Sequence, residues 1–502
     1  MPFLGFCFNS SKPIWLPKDK GTLEMLDKRS FYINGQWVGP VDGRDFEVTD
    51  PSTEAVIGHI SLGGKADTDA AVAAAKEAFK FWQMTTKDER LTLCRRIHDV
   101  YMRRSEDMAV AIATEMGAPI DMSRVQQVGA GSFHMDGFFA AAKDWEPVQK
   151  LGDHAPNDRV LYDPVGVCAL ITPWNWPMNQ IVLKVFPALI AGNTMVLKPS
   201  EIAPLSGHLW AEIMDEAGTP AGVFNLINGD GPGVGTQLST HPDVHMVSFT
   251  GSTRAGIAIS KNAAETLKRV SLELGGKGAN ILFADARPEA AKWSAMRVFN
   301  NSGQSCNAPT RLLVERSRYD QTIEEIKIVA ENLAVDSAHA EGKHIGPVVS
   351  KAQYDKIQGL IETGIKDGAR LVAGGLGRPE PHKQGYFVQP TVFADVDNEA
   401  TISREEIFGP VFCIMPFDSE EEAIEIANDT AYGLTNFIQT EDKNKLKRVA
   451  KRLRSGMVEN NGIGRGMGSP FGGMKGSGNG REGGIWGIED FCEIKSVSDW
   501  VD

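Results

Sequence analysis

Residues 166–201 read GVCALITPWNWPMNQIVLKVFPALIAGNTMVLKPSE. The stretch starts as a short, continuous apolar run, Gly166–Thr172, without polar alternation, as a strand covered on both faces requires. A loop stiffened by two prolines follows. Then come a mostly apolar helical stretch, Met178–Ala191, closed by Gly192, and a second apolar run at Thr194–Lys198. Strand, helix and strand at this spacing predict a βαβ unit with parallel strands.

The same rhythm continues toward the C-terminus. A helix is predicted over Leu205–Ala217 with Gly218 after it, and strands over Val223–Ile227 and Val244–Phe249, each running into a glycine-rich turn. This is the pattern of an α/β, doubly wound parallel sheet, in which ligands sit at the carboxyl ends of the strands. From Val270 the alternation repeats more loosely, with strands predicted at Val270–Leu274, Ala279–Phe283, Thr310–Glu315, Val411–Phe417 and Gly456–Glu459. These are read as a second α/β domain. Toward the N-terminus, Asp67–Trp82 and Asp88–Met116 have helical spacing, and Gly117 closes the second. Gly462–Gly487 reads as a long irregular loop. Pro147–Tyr162 and Ile488–Val501 read as strands outside both sheets, able to pair as a ribbon whose edge a partner subunit would cover. Residues 1–30 are Pro-punctuated and read as an arm. The segments expected are therefore 1–30 (arm), 31–146 with 163–272 (cofactor domain), 273–487 (catalytic domain) and 147–162 with 488–502 (ribbon).

The 502 residues fit about three domains at roughly 150 residues each. The formal net charge of −13 speaks against nucleic acid, whose binding rests on Lys and Arg at phosphates, and against an anionic membrane surface. No apolar run approaches the ~20 residues of a span, and MPFLGFCFN lacks a leading basic cluster. Six cysteines are too sparse for a disulfide framework, so a reducing compartment, the cytoplasm, is expected. The count raises one question, whether any thiol reacts. The 52 glycines, above the usual ~7%, raise another: what demands so much close backbone.

Cys168 and Cys413 lie in apolar strands, Cys94 on an apolar helix face, and Cys7 and Cys492 in no polar setting. Cys306 differs. It follows a helix in Asn300-Asn-Ser-Gly-Gln-Ser-Cys, and on that context it is either a nucleophile or a capped loop thiol. Glu273, flanked by leucines at a strand end, is either a desolvated base or a solvent-facing carboxylate. Asn175, directly after the first strand, is either an oxyanion donor or a turn former. The glycine turns at 229–235 and 251–256 match neither a dinucleotide fingerprint nor a P-loop, though a helix start after Ser252 offers N–H groups to a pyrophosphate.

Taken together, ITPWNWP, NTMVLKPSE, FTGST, LELGGKGANI, NNSGQSCNAPTR, EEIFGPV and SPFGGMKGSG resemble the NAD(P)-dependent aldehyde dehydrogenase superfamily, in its order and spacing from about Phe31 onward. The resemblance implies a Rossmann-like cofactor domain, an α/β catalytic domain and a small β-ribbon oligomerisation domain. It implies a Cys306 nucleophile, an oxyanion site at Asn175 and the Cys306 N–H, and Glu273 as the base that hydrolyses a thioester. For the cofactor it implies Thr172, Trp174, Lys198, Ser200, Glu201, Gly231, Gly251, Ser252, Leu274, Glu406 and Phe408. A carboxylate at Glu201 suits the 2′-hydroxyl of NAD and opposes the 2′-phosphate of NADP, although relatives with this Glu use both. No metal is expected. The substrate is a small-molecule aldehyde, and Trp176, Asn179, Asn300, Arg465 and Phe471 are expected to line its tunnel. The polarity of Asn300 and Arg465 suggests a polar or carboxylate tail, as in a semialdehyde acid. The chain departs from the family at Trp176, Pro309 and Met474. The presence of Glu273 favours hydrolysis over transfer to CoA, and a nicotinamide-independent Cys hydrolase is the other alternative. A homodimer or homotetramer is implied.

Overall fold

The computed structural model describes residues 25–500. Its first large sheet runs in the order Arg269–Glu273, Met246–Thr250, Val167–Ile171, Thr194–Lys198, Phe224–Leu226, Phe31–Ile33 and Gln36–Val38. The first five strands are parallel, and the last two form an antiparallel hairpin on the edge. Val167–Ile171 is central. The chain winds to one side through Thr194–Lys198 and returns to the other at Met246–Thr250, so the crevice of the winding switch lies at the carboxyl ends of these strands. The helix Pro177–Ala191 begins with a proline at its first turn and ends at Gly192, whose φ of 97° is the left-handed geometry that glycine accepts without strain. Every residue of that helix is buried except Asn179.

The second sheet runs Arg370–Ala373, Thr391–Ala394, Val411–Phe417, Arg311–Glu315, Ala279–Leu282, Thr435–Gln439 and Met457–Asn460, parallel but for the Arg370–Ala373 edge. Apolar clusters pack on both its faces. A third sheet joins Cys492–Val497, Ala155–Pro164 and Val148–Gly152, with Cys492 opposite Pro164 and Val497 opposite Arg159. A small sheet joins Leu26–Lys28, Ala55–Leu62 and Arg44–Asp50.

Several expectations are corrected. The helix expected over Asp88–Met116 is two, Lys87–Arg103 and Ser105–Met116. Arg104 leaves helical geometry while its guanidinium pairs with Asp107 and Glu212, and Glu106 and Asp107 give the second helix an acidic first turn. The strand Arg269–Glu273, expected to open the second sheet, is the edge of the first. The loop expected to reach Gly487 ends in a helix, Gly484–Asp490, which also takes the first residues assigned to the ribbon. Near the end of the expected arm, Leu26–Lys28 pairs parallel with Ala55–Leu62, and residues 1–24 of the arm, with Cys7, lie outside the described residues.

The two large sheets are joined by five residues, Leu274–Gly278. A Cβ on Gly278 would collide with the carbonyl of Thr435 in the neighbouring strand. Gly278→Ala should therefore lower the melting temperature by roughly 5 °C or more. Gly359→Ala, in the helix Lys351–Lys366 with open space around it, should leave the value unchanged or raise it slightly. Calorimetry of the two variants checks this, and a tolerated Gly278→Ala contradicts the packing.

Candidate active site

Cys306 sits between the helix Ala290–Phe299 and the strand Arg311–Glu315. Its approach loop contains three consecutive left-handed residues, Asn301 (φ 53°), Ser302 (φ 54°) and Gly303 (φ 74°). Such geometry is costly for the two non-glycine residues and persists only where the surroundings dictate it. A side chain at 303 would collide with the Gly409 carbonyl. The Asn301 amide donates to the Asn175 carbonyl at 2.9 Å, as does the Gln127 amide at 3.1 Å. Asn175 in turn donates its Nδ2 to the Gln304 carbonyl at 3.0 Å. The Trp176 indole donates to Ser305 Oγ at 2.8 Å. The loop after the first strand and the cysteine loop are thus tied residue to residue, which places Asn175 and Cys306 on one cavity of about 210 Å³.

The thiol is surrounded by acid. Burial pushes the Cys306 pKa up to about 12, and the charges of Glu406, Glu273 and Glu482 push the same way. The other described cysteines, Cys94, Cys168, Cys413 and Cys492, are buried, while Cys306 is partly open.

Glu273 is 2% exposed, and among the described residues neither carboxylate oxygen has a hydrogen-bond partner. Burial raises its pKa well above the ordinary carboxylate value, the Glu482 charge adds to this, and Lys184 and Arg481 oppose it. Strand alternation does not send this side chain to water. It rests against Gly472 and Gly480, where a Cβ would come within 2.8 and 2.7 Å of Oε1. Lys184 and Glu482 form a buried ion pair at 2.5 Å, with Lys184 also donating to Ser248 at 3.2 Å.

The positions expected to hold the cofactor fall in two groups. Trp174, Gly251, Ser252, Leu274, Glu406 and Phe408 line the thiol cavity. Glu406 accepts the Gly276 N–H at 2.8 Å, and a Cβ on Gly275 would displace its carboxylate. Phe408, with φ 58°, meets the Trp174 ring edge-on at 5.4 Å. Thr172, Lys198, Ser200 and Glu201 follow the ends of the central strands. Lys198 donates to the Pro199 carbonyl at 3.0 Å and lies 3.4 Å from Glu201. Gly231 opens an exposed turn with nothing within 4 Å of a Cβ there, beside Asp230, whose charge acts on Lys198. Ser252 caps the twelve-residue helix Thr253–Ala264 by accepting from the Ala255 N–H. A dinucleotide fits this set: free N–H groups at a helix start, room over glycine, and carboxylates at both ends of the crevice.

Of the substrate positions, Trp176 touches the cysteine loop. Phe471 joins Leu434 and Met457 in the cluster against which Cys306 packs. Asn179 Oδ1 accepts from His134 Nε2 at 2.7 Å, and Arg465 lies over Phe471 at 4.8 Å. Asn300 turns away to Gln126, at 2.9 Å. Gln127, His134, Arg297, Lys356 and Glu459 complete the surroundings and were not foreseen. None had a cue in the sequence; Gln127 closes a wide helical turn over Ser123–Gln127, and that turn leaves no mark in composition.

Residues 37–497 match the Aldehyde dehydrogenase family. The chain is 50% identical over 475 residues to 3-succinoylsemialdehyde-pyridine dehydrogenase from Pseudomonas sp, covering 94% of this chain and 99% of that protein. A crystal structure of aldehyde dehydrogenase from Bartonella henselae superposes with a TM-score of 0.94 at 57% identity, over 95% of this chain and 100% of that one. A mutant of aldehyde dehydrogenase C from Pseudomonas syringae, in complex with NAD+ and octanal, superposes with a TM-score of 0.92 at 43% identity, over 94% and 97% of the two chains. The chain belongs to the aldehyde dehydrogenase family. It is an NAD-dependent aldehyde-oxidising enzyme. No helix among the described residues is long and apolar enough to cross a membrane.

In the cofactor-free protein, alkylation of Cys306 by iodoacetamide, followed on its peptide by mass spectrometry, should keep accelerating above the ordinary thiol pKa of about 8.5. Saturation at neutral pH would contradict the acidic surroundings described above.

Proposed function

We propose that the protein oxidises an aldehyde to its carboxylic acid through covalent chemistry at Cys306. The observation that carries this reading is that Cys306 and Asn175 share one cavity with the ends of the first sheet's strands. Cys306 Sγ, its proton given up to water, attacks the aldehyde carbon to form a hemithioacetal, and Asn175 Nδ2 with the Cys306 N–H holds the developing oxyanion. Bound NAD supplies the hydride acceptor. A thioester then remains on Cys306. Glu273 takes a proton from water, which attacks the thioester and releases the acid. Its unpartnered oxygens are free for that proton.

Lys198 and Glu201 would hold the adenosine ribose, with Thr172 and Ser200 shaping its edge. Gly231, Gly251 and Ser252 would border the pyrophosphate, and Glu406, Phe408, Trp174 and Leu274 the nicotinamide end. Residues 31–146 and 163–272 would form the cofactor domain and 273–487 the catalytic domain. The ribbon, 147–162 and 488–502, exposes Val148, Leu151 and Ile494 and would pair with another copy in a homodimer or homotetramer. Accessible, reduced thiol chemistry suits the cytoplasm. The substrate reading is an aldehyde with a polar tail. A semialdehyde in the name of the 50% identical relative agrees with it.

Cys306→Ser should abolish NADH formation while NAD still quenches tryptophan fluorescence, and substantial turnover would refute the nucleophile. The raised pKa of Glu273 means that its base form grows as pH rises. The steady-state rate should therefore climb from acid toward alkaline pH. Glu273→Gln should leave an NADH burst with slow turnover after it, and an unaltered steady-state rate would remove Glu273 from the reaction. Glu201→Gln should narrow the preference for NAD over NADP about tenfold in kcat/KM, and an unchanged ratio would take Glu201 out of cofactor choice.

A further inference from the structure

A second cavity, of about 270 Å³, adjoins the substrate positions. Three charged side chains line it: Arg297, Glu459 and Arg465. Glu459 stands in the strand Met457–Asn460 with its side chain 5% exposed. Arg465 Nε lies 3.2 Å from Glu459 Oε1, and Arg297 Nη2 lies 3.9 Å from Oε2. One buried carboxylate therefore sits between two guanidinium groups, and among the described residues that line this cavity one positive charge has no counter-charge. A charge so placed is uncompensated until a partner of opposite sign arrives.

The wall of this cavity is packed toward the thiol. Arg465 stacks on Phe471, and Phe471 belongs to the apolar cluster that seats Cys306. On the same wall His134 bonds Asn179 at 2.7 Å. Burial and the Arg465 charge pull the His134 pKa down to about 4, so the imidazole is neutral near pH 7 and adds no charge. Its Nε2–H then donates to Asn179 Oδ1, leaving the Asn179 amide N–H groups as donors one helical turn from Trp176.

We propose that Arg465 and Arg297, spaced by Glu459, recognise the far end of the substrate, and that this end is a single carboxylate. The inference rests on the dehydrogenase reading above and names its substrate class, an aldehyde joined by a short chain to one carboxylate. Arg465 is the principal specificity residue, because its planar group is already oriented by the Phe471 ring and by Glu459. Glu459 limits the net charge of the cavity to one, so it acts against the substrate's carboxylate while holding the two arginines apart.

The experiment measures NADH formation by the full-length protein with succinate semialdehyde and its one-carbon homologue against butanal and pentanal. The wild-type protein should favour the acids by at least about tenfold in kcat/KM, the effect of one charge-assisted hydrogen bond. Arg465→Met and Arg297→Met should each lower that acid-to-neutral ratio by about tenfold, chiefly through KM for the acids. Arg465→Lys should retain part of the preference. Glu459→Gln should shift the ratio the other way, toward tighter acids. The neutral aldehydes, run on the same preparation, report whether each variant is folded. Equal effects of the arginine variants on both aldehyde classes, or a wild-type preference for the neutral or a pyridyl aldehyde, would overturn the inference and leave the dehydrogenase reading standing. Absence of NADH from every aldehyde would overturn both.

Discussion

Everything at the site depends on how closely backbone passes backbone at the link between the two large sheets. The strand Arg269–Glu273 closes the first sheet, and Ala279–Leu282 begins the second. Between them, Gly275 faces the Glu406 carboxylate, Gly276 faces the Cys306 carbonyl and Gly278 faces the Thr435 carbonyl, each too near for a Cβ. Glycine is the residue that allows such approach. On the other side, Gly303 lies against the Gly409 backbone in a left-handed turn. The thiol loop is thus wedged between two glycine contacts, and the rigid clasp of Asn175, Asn301 and Gln304 fixes its third side.

This packing has an electrostatic consequence. Glu273, Glu406 and Glu482 all lie near enough to raise the Cys306 pKa, and burial raises that of Glu273. The free protein therefore holds the Cys306 thiol, and pushes the Glu273 carboxyl, toward the protonated form. A thiol in that state is inert toward stray electrophiles. The Lys184–Glu482 pair keeps the acidic interior from carrying one more uncompensated charge.

Much of this was legible in residue order. Buried parallel strands show as unbroken apolar runs, so Val167–Ile171, Thr194–Lys198 and Met246–Thr250 were foreseen almost to the residue. Thr435–Gln439 was not, because its buried polar side chains mask it. Asn436 accepts the Ala279 N–H, and Gln439 donates to Asn280 in the neighbouring strand. Arg370–Ala373 and Thr391–Ala394 were likewise unforeseen, the former being a partly exposed edge. The break at Arg104 depends on a partner more than a hundred residues away, Glu212, which no periodicity reports. For the site, the settings of Cys306, Glu273 and Asn175 left each open between a chemical and a bland role and only the family resemblance decided among them, whereas Arg297, Glu459 and His134 acquire meaning only once distant strands and helices bring them to one cavity.

The central claim is that an acyl group passes through Cys306 and leaves by way of Glu273. Its most direct test is to mix the Glu273→Gln protein with NAD and an aldehyde, quench in acid within a turnover, and read peptide masses. The account predicts an acyl adduct on the Cys306 peptide, stoichiometric with the NADH formed. NADH formation with an unmodified Cys306 peptide, or an adduct on another residue, would contradict it.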